Sequence, residues 1–365
     1  MPTSALHPFH RIDQLIRRRA RPRPDRAPRP RRARAARLAA STTALLALGA
    51  LGACTGAPAA KGPATSTGSG HPAAVTVRSC GATTAVSTPP KRLVTLNEGA
   101  TEVALALGLQ TRMAGTAYLD DTIPAQWKAA YDSVPVLSKE YPTKEKLLAA
   151  HPDFLYASYA SAFTDKVAGT RAELDAEHIP SYLSPFGCAD SKQVPAASFA
   201  AVWGELTDVA KAFGVTARAT AIEQRQKKTL AGLAAQGAGR GLNVLWYDSD
   251  TKTPFVGAGH GGPQLILDAV GAHNVFGSLP GGWQSVSWEK VAAANPDAIV
   301  LADAGWDTAK SKIAYLEHDP VLSRLTAVRK RAFVVVPFSE STPGVLLADG
   351  ASQVSAGLAK LHPAS

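Results

Sequence analysis

The sequence predicts an α/β protein with two similar lobes, joined by a long rigid α-helix and separated by a cleft. Three observations predict this fold class. A short motif occurs twice, strands alternate with helices around each copy, and a long helical stretch separates the two halves. The 365 residues are long enough for two domains of ordinary size.

The repeated motif is E-K-x-x-A-A-x-P-D, which occupies residues 145–153 and 289–297 and is followed each time by an apolar run. The pattern indicates a short helix, a Pro-Asp turn that ends it, and a buried strand. Two copies in corresponding places predict two lobes of one design.

The flanks of the repeat correspond as well. In the first half a strand at 92–96 leads into a helix at 101–107 that ends at Gly108. In the second half a strand at 242–247 precedes a helix at 263–270 that ends at Gly271. Strands that alternate with helices predict mainly parallel sheets.

Between the halves, 199–213 is amphipathic, and the stretch that continues from 216 has no Gly or Pro before Gly232. We expect a rigid connector here. The predicted boundaries are 78–205 for the first lobe, 206–238 for the connecting helix and 239–365 for the second lobe.

The charge distribution excludes a nucleic-acid groove. The formal net charge is +10, but residues 1–53 hold 12 arginines and two acids. From position 54 onward the chain has 27 basic and 27 acidic residues. A groove that follows phosphates needs a basic surplus in the folded body, so we expect no nucleic-acid partner.

The leader indicates export. An arginine-rich segment precedes the apolar stretch 38–53, which is shorter than the ~20 residues that span a membrane. The stretch ends in Leu-Gly-Ala followed by Cys54, which resembles the lipobox of bacterial lipoproteins. The resemblance implies a signal peptide over 1–53, lipidation of Cys54, a flexible linker over 54–77, and attachment to the outer face of the cell membrane.

Two further cysteines, Cys80 and Cys188, remain in the body. An exported protein sits where disulfides persist, so we predict that the two cysteines pair. The alternative is a pair of buried free thiols.

Four stretches carry a wider resemblance: 90–96, 101–109, the two repeats, and the tail 331–337. Together they resemble the substrate-binding proteins of ABC importers in the iron-siderophore, haem and cobalamin class. The resemblance implies two Rossmann-like lobes with a ligand cleft, no enzymatic activity and no cofactor. It also implies a small-molecule ligand, an ABC transporter permease and its ATPase subunits as partners, and we expect a monomer.

The same resemblance gives one exposed glutamate of each lobe a docking role. In the family these glutamates lie in the short helix before the Pro-Asp turn and contact arginine pockets of the permease. The matching residues are Glu145 and Glu289. The alternative is that each glutamate only stabilises the start of its helix, and both roles are compatible.

We expect the ligand at the carboxyl ends of the strands, between the lobes. Aromatic side chains there suit a flat or conjugated ligand, although each one could instead fill a lobe core. The candidates are Asn97, Glu98, Tyr118, Asp120, Glu140, Tyr141, Tyr159 and Phe163 in the first lobe, and Trp246, Tyr247, Asp248, His260, Trp283, Trp306 and Phe338 in the second.

The glycine-rich loop 257–262 formally matches G-x-G-x-x-G. No acidic residue ends a following strand at the distance a dinucleotide fingerprint requires, so that interpretation is rejected. A less specific interpretation remains, in which the loop amides and His260 bind an anionic group of the ligand. The histidines after the leader are dispersed, which argues against direct metal coordination. We therefore expect an organic or already chelated ligand.

Basic residues are sparse in these loops, which argues against a strongly anionic siderophore. A narrower resemblance leads to an alternative. Residues 95–102, 115–120, 156–163 and 182–188 look like an actinobacterial branch proposed to carry the deazaflavin precursor F420-0.

Two other classes of function have weaker support than a substrate-binding protein. No P-loop, nucleophile elbow or zinc motif suggests an enzyme, and the acid pair Asp120-Asp121 is typical of a solvated turn. A purely structural lipoprotein is the other rival.

Overall fold

The structure, a computed structural model, describes residues 74–119 and 121–361 of the chain. The predicted signal peptide, Cys54, most of the linker and the candidate Asp120 lie outside the described residues. The α/β class with two lobes of mainly parallel strands is confirmed.

The first lobe holds a parallel five-stranded sheet in the order β5-β4-β3-β6-β7. Its central strands β3 and β6 are fully buried and mostly apolar, with Thr95 as the polar exception in β3, as expected for strands covered by helices on both faces. The strands are β3 Leu93–Leu96, β4 Met113–Ala117, β5 Val136–Ser138, β6 Phe154–Ala157 and β7 Ser181–Leu183, after a hairpin of β1 Val75–Ser79 and β2 Ala82–Val86. The helices are α1 Glu98–Ala106, α2 Lys128–Asp132, α3 Lys144–Leu148 and α4 Arg171–Ala176.

The antiparallel hairpin β1–β2 is tied to the first lobe by the disulfide Cys80–Cys188, with 5.3 Å between the two Cα atoms. The predicted pairing is confirmed. Arg171 adds a second tie, since its guanidinium donates to the carbonyls of Ser79 at 2.9 Å and Ser181 at 3.0 Å. Because β1 begins at Val75, the predicted linker over 54–77 is too long by three residues.

The connector consists of two helices, α5 Phe199–Ala212 and α6 Thr216–Gln236. The structure therefore has two helices where a single connecting helix was predicted over 206–238. The chain turns at Gly214, whose φ is +67°, while the Val215 amide returns to the Ala210 carbonyl at 2.8 Å. This glycine-based cap ends α5, and α6 starts in a new direction.

The second lobe holds a mixed sheet in the order β11-β9-β8-β12-β13, with β10 beside β8. The strands β8, β12 and β13 are parallel to one another, whereas β9 pairs antiparallel with both of its neighbours, β8 and β11. The strands are β8 Asn243–Ser249, β9 Phe255–Gly257, β10 His273–Asn274, β11 Trp283–Ser285, β12 Ala298–Asp303 and β13 Phe333–Pro337. The helices are α7 Gly262–Val270, α8 Trp288–Ala294, α9 Ala309–His318, α10 Thr326–Arg329 and α11 Leu347–Leu361.

The repeated motif forms the same structure in both lobes. It supplies α3 and then β6 in the first lobe, and α8 and then β12 in the second. The aspartates of its two copies make equivalent hydrogen bonds. The Asp153 carboxylate accepts from the Arg92 amide at 2.8 Å, and that of Asp297 accepts from the Asn243 amide at 2.9 Å. Each aspartate thus fixes the start of the neighbouring strand.

We predict that Cys80→Ala with Cys188→Ala lowers the free energy of unfolding. The disulfide closes a loop with a sequence separation of 108, and loss of such a constraint costs on the order of 4 kcal/mol by chain entropy. Urea unfolding with and without reductant measures the difference. The wild-type protein should respond to reductant and the double variant should not. Equal stability of the two proteins under oxidising conditions would contradict the prediction.

Candidate functional site

The candidate site of the first lobe begins where its strands end. Asn97 directly follows β3 and Tyr118 directly follows β4. Both residues have positive φ, +74° and +58°, which is uncommon for side chains with a Cβ. Strained backbone at adjacent strand ends is typical of functional positions.

Three predicted residues of the first lobe lie together. The Tyr141 hydroxyl donates to Asn97 Oδ1 at 3.1 Å, and the Tyr118 ring lies edge-on to the Tyr141 ring with centroids 4.6 Å apart. Ser161 joins them, with its Oγ 2.9 Å from the Tyr141 hydroxyl. Sequence analysis did not identify Ser161, because a serine in a loop carries no signal of its own.

The other candidates beyond the first-lobe strands differ in exposure. Tyr159 is half-buried just beyond β6, and Glu140 is exposed. The ring of Phe163 is covered by the Arg171 guanidinium, 5.9 Å from the ring centroid. Phe163 therefore packs within the lobe.

In the second lobe, Trp306 and Phe338 form an edge-on pair with centroids 4.9 Å apart. Trp306 lies in a tight turn closed by a bridge between Ala304 and Asp307, just beyond β12. Phe338 directly follows β13, the strand beside β12. The pair stands at the carboxyl edge of the sheet, as the sequence predicted for both residues.

Trp246 and Tyr247, which the sequence also offered as ligand contacts, are core residues. Both lie inside β8 with no exposed surface, and as consecutive strand residues they face opposite sides of the sheet. The Tyr247 hydroxyl donates to the Asp250 carbonyl at 3.1 Å. In this structure neither side chain is available to a ligand.

Three backbone amides of the glycine-rich loop are already hydrogen-bonded within the protein. The amides of Ala258, Gly259 and His260 donate to the carbonyls of Gly282, Leu279 and Gly281. A Cβ on Gly259 would lie 2.1 Å from the Gly277 carbonyl oxygen, so close packing explains that glycine. These three amides are therefore not part of an anion cradle. The amides at the helix start, those of Gly261 and Gly262, stay a prediction, and the His260 side chain is exposed.

A buried lysine supports the turn that carries Trp306. Lys312 is 1% exposed, and its ammonium donates to the Ala302 carbonyl and to the Asp307 carbonyl, the latter at 2.9 Å. Burial lowers the pKa of Lys312, while the carboxylates of Asp307 and Asp248 raise it. The lysine thus holds β12 and the Trp306 turn together.

Asp248 lies at the end of β8 and is 3% exposed. Burial raises its pKa to about 6, although Lys312 and hydrogen bonds from Ser249 and the Trp283 side chain oppose the rise. The predicted candidates Asp248 and Trp283 are therefore in contact with each other.

Further carboxylates gather where the two lobes meet. Glu98 and Glu102 lie on α1, Asp121 follows β4, and Glu340 follows β13. Burial first and then the other carboxylates raise the pKa of Glu102, and burial and Asp349 raise that of Glu340 to about 7. Only Glu98 was predicted here. Asp121, which the sequence suggested was solvated, is half-buried with a raised pKa.

The two predicted docking glutamates are exposed and equivalent. Glu145 lies in the first turn of α3, capped by Thr143, and Glu289 in the first turn of α8, capped by Ser287. Hydrogen bonds at these helix starts lower the pKa of both glutamates. Each one therefore stabilises its helix start and presents a carboxylate to solvent.

Within residues 74–119 and 121–361, no three His, Cys, Asp or Glu side chains are arranged to hold a metal ion. In the same part of the chain, no helix is long and apolar enough to cross a membrane.

A family model described as periplasmic binding protein matches residues 93–340, more than half of the chain. A periplasmic binding protein from Veillonella parvula is 28% identical, with a TM-score of 0.68 over 78% of this chain and 97% of that one. A search of curated proteins found no match.

Two other solved structures share the fold at lower identity. The first is an ABC-type Fe3+-hydroxamate transport system protein from Saccharomonospora viridis, 21% identical, with a TM-score of 0.64 over 80% of this chain and 99% of that one. The second is a periplasmic heme binding protein from Pseudomonas aeruginosa, 22% identical, with a TM-score of 0.58 over 76% and 94%.

We predict that Asp248→Asn makes the free energy of unfolding less dependent on pH. Its folded-state pKa of about 6 lies above the ordinary value of 3.8, so the folded protein binds the proton more tightly. That stabilisation is fully present below about pH 4 and is lost as the pH rises through about 6. Between about pH 5 and pH 8 the difference is on the order of 1 kcal/mol.

Urea titrations at the two pH values measure this dependence. Asp175→Asn, a change at an exposed acid of α4, is the matched control and should leave the dependence unchanged. An Asp248→Asn protein with the wild-type pH dependence would show that the carboxyl group does not titrate as the structure indicates.

Proposed function

We propose that this chain, which belongs to the periplasmic binding protein family, captures a metal chelate or a related organic molecule and delivers it to an ABC importer. The family consists of non-enzymatic, extracytoplasmic solute-binding proteins. The class of ligand, the docking residues and the lipid anchor are the parts that we propose.

The observation that carries the proposal is the pair of aromatic groups at the strand ends. Tyr118 and Tyr141 belong to the first lobe, and Trp306 and Phe338 to the second. Aromatic faces bury a large area with defined geometry, which suits a bulky, conjugated or chelate ligand. The described residues offer no arrangement for a bare metal ion, so the metal would arrive inside its chelator.

Two similar structures are of proteins named for ligands of this class. One is a Fe3+-hydroxamate transport protein and another binds haem. At these identities the likeness establishes the fold, and we extend the ligand class to this chain as a proposal.

The deazaflavin precursor F420-0 is the alternative ligand. The aromatic pairs favour its flat ring. Its phosphodiester tail finds less support, since three amides of the glycine-rich loop are bound to backbone carbonyls and carboxylates surround the lobe junction. We therefore rank the chelate first.

Glu145 and Glu289 are the proposed contacts with the permease. Each carboxylate is exposed at the start of a short helix, and the two helices occupy equivalent places in the two lobes. Two charges held by one folded body select an orientation and speed the encounter more than they add affinity. Cys54 is the proposed lipid anchor, which would keep the protein beside its permease.

The test of the ligand class is native mass spectrometry of the full-length protein, expressed in an actinobacterial host and released from its membrane with mild detergent. Absorption and fluorescence spectra accompany the mass. A bound mass that contains iron, with a charge-transfer band, supports the chelate. A blue-fluorescent, iron-free ligand supports F420-0 instead. A protein that binds no small molecule, from the host or from a broad ligand screen, contradicts both.

We predict that Glu145→Ala with Glu289→Ala abolishes uptake and leaves ligand binding intact, because the charges that meet the permease are lost while the cleft is untouched. Uptake by cells and ligand binding by the purified protein are measured side by side. Asp165→Ala with Asp175→Ala removes the same charge from exposed positions of the first lobe and should transport normally.

The glutamine pair Glu145→Gln with Glu289→Gln separates the two roles of these residues. Glutamine still accepts hydrogen bonds at a helix start, whereas docking requires the charge. The glutamine pair should fail in uptake as the alanine pair does. Normal uptake by either double variant would refute docking.

We also predict that Cys54→Ala releases the protein from the membrane, since the thiol is the acyl acceptor in lipoproteins of this type. Cell fractionation and the mass of the mature amino terminus check this. Retention of the variant in the membrane fraction would show that another segment anchors the chain.

A further inference from the structure

Four carboxylates lie at the lobe junction. We call Glu98, Glu102, Asp121 and Glu340 the junction carboxylates. Glu98 and Glu102 share one helix of the first lobe, and Glu340 belongs to the second lobe. Glu102 interacts electrostatically with Glu98, Asp121 and Glu340, and also with Asp349 of α11, so the acidic group includes residues of both lobes.

The backbone holds these side chains in place. The α1 start is fixed to the end of β6, since the Ala100 amide donates to Ser158 Oγ at 2.8 Å. The turn that carries Glu340 is packed against α11, where a Cβ on Gly350 would lie 2.4 Å from the Glu340 carbonyl oxygen. The junction carboxylates therefore cannot easily separate to relieve their repulsion.

Several polar atoms here are buried without a hydrogen-bond partner. Glu102 is 3% exposed, and its Oε1 has no partner. Glu340 is 8% exposed; its Oε1 accepts from Gln353 at 2.9 Å, but its Oε2 has no partner. Asn97 is 1% exposed, and its Nδ2 is unpaired as well. Buried polar atoms are normally satisfied, so these unpartnered atoms are the candidates for contact with a ligand.

Basic side chains do not balance the group. The charged residues that act on Glu102 are all acidic, and burial together with their repulsion raises its pKa. Lys312, the buried cation of the second lobe, is engaged with the Ala302 and Asp307 carbonyls. Arg225 is exposed and acts on Asp349.

We propose that the cleft selects a ligand that carries a positive charge, such as a metal chelate with a free ammonium group, and that Glu102 and Glu340 bind this charge from opposite lobes. This inference rests on the proposed solute-binding function and names the charge of its ligand. A cation would displace the protons that these two acids otherwise keep and would donate to the oxygens left without a partner. Its binding would draw the lobes together. The rings of Tyr118 and Tyr141 lie at the end of β4 and beyond β5, beside Asn97 at the same sheet edge.

The test uses three ferric trihydroxamate chelates with one scaffold and different charges. One ends in a free amine and is cationic, the second is its neutral N-acetyl form, and the third is its anionic N-succinyl form. Haem, which bears two carboxylates, is the fourth probe. Equilibrium binding to the full-length protein is measured by quenching of tryptophan fluorescence and by calorimetry.

We expect the cationic chelate to bind at least about tenfold more tightly than the neutral one, and the anionic one more weakly still. Glu102→Gln and Glu340→Gln should each reduce the preference for the cationic chelate roughly tenfold and leave affinity for the neutral chelate unchanged. Binding of the neutral chelate also shows that each variant is folded. Asp175→Asn is the control for a lost negative charge outside the cleft.

The other outcomes separate the two levels of the proposal. Equal binding of the three chelates, tighter binding of the anionic one, or an unchanged preference in both glutamine variants overturns the charge inference and leaves solute binding in place. If haem binds and none of the three trihydroxamates does, the charge inference is likewise overturned and solute binding stands. If none of the four probes binds, the charge inference and the chelate function both fail.

Discussion

The arrangement of the two lobes depends on one buried amide, that of Gln226 in α6. Its Oε1 accepts from the Trp203 indole of α5 at 2.7 Å, and its Nε2 donates to the Val345 carbonyl of the second lobe at 2.7 Å. Because a buried amide must keep both partners, the two connector helices and the second lobe cannot shift independently. The cleft therefore inherits its shape from the connector.

The connector also reaches the first lobe through arginines. Arg112 donates to the Phe213 carbonyl at 2.8 Å, and Arg218 of α6 donates to the Leu107 carbonyl at 2.6 Å. Apolar residues of both lobes and of the connector belong to one continuous core. A binding protein built in this way favours small lobe movements over a wide hinge opening. Small movements suffice if the ligand binds acids that already interact electrostatically at the lobe junction.

The residue pattern predicted which residues lie at the strand ends better than it predicted which side chains are buried. Aromatic residues just beyond strands, such as Tyr118 and Trp306, were found because the carboxyl ends of parallel strands meet at one edge. Trp246 and Tyr247 were predicted as ligand contacts but are buried inside β8, since the aromatic residues of a buried strand have the composition of a cleft wall. Glu102 and Glu340 were missed, because two acids 238 positions apart show no pattern until the lobes bring them together.

The sequence by itself determined the α/β class, the two lobes, the pairing of Cys80 with Cys188 and the two equivalent glutamates. These follow from local periodicity, an internal repeat and the count of cysteines, which folding does not alter. Tertiary structure alone decided that Trp246 and Tyr247 are buried, that three amides of the glycine-rich loop are bound to backbone carbonyls, and that the lobe junction is acidic. Those properties depend on burial and on distances between residues remote in the chain, and a local sequence pattern determines neither burial nor such distances.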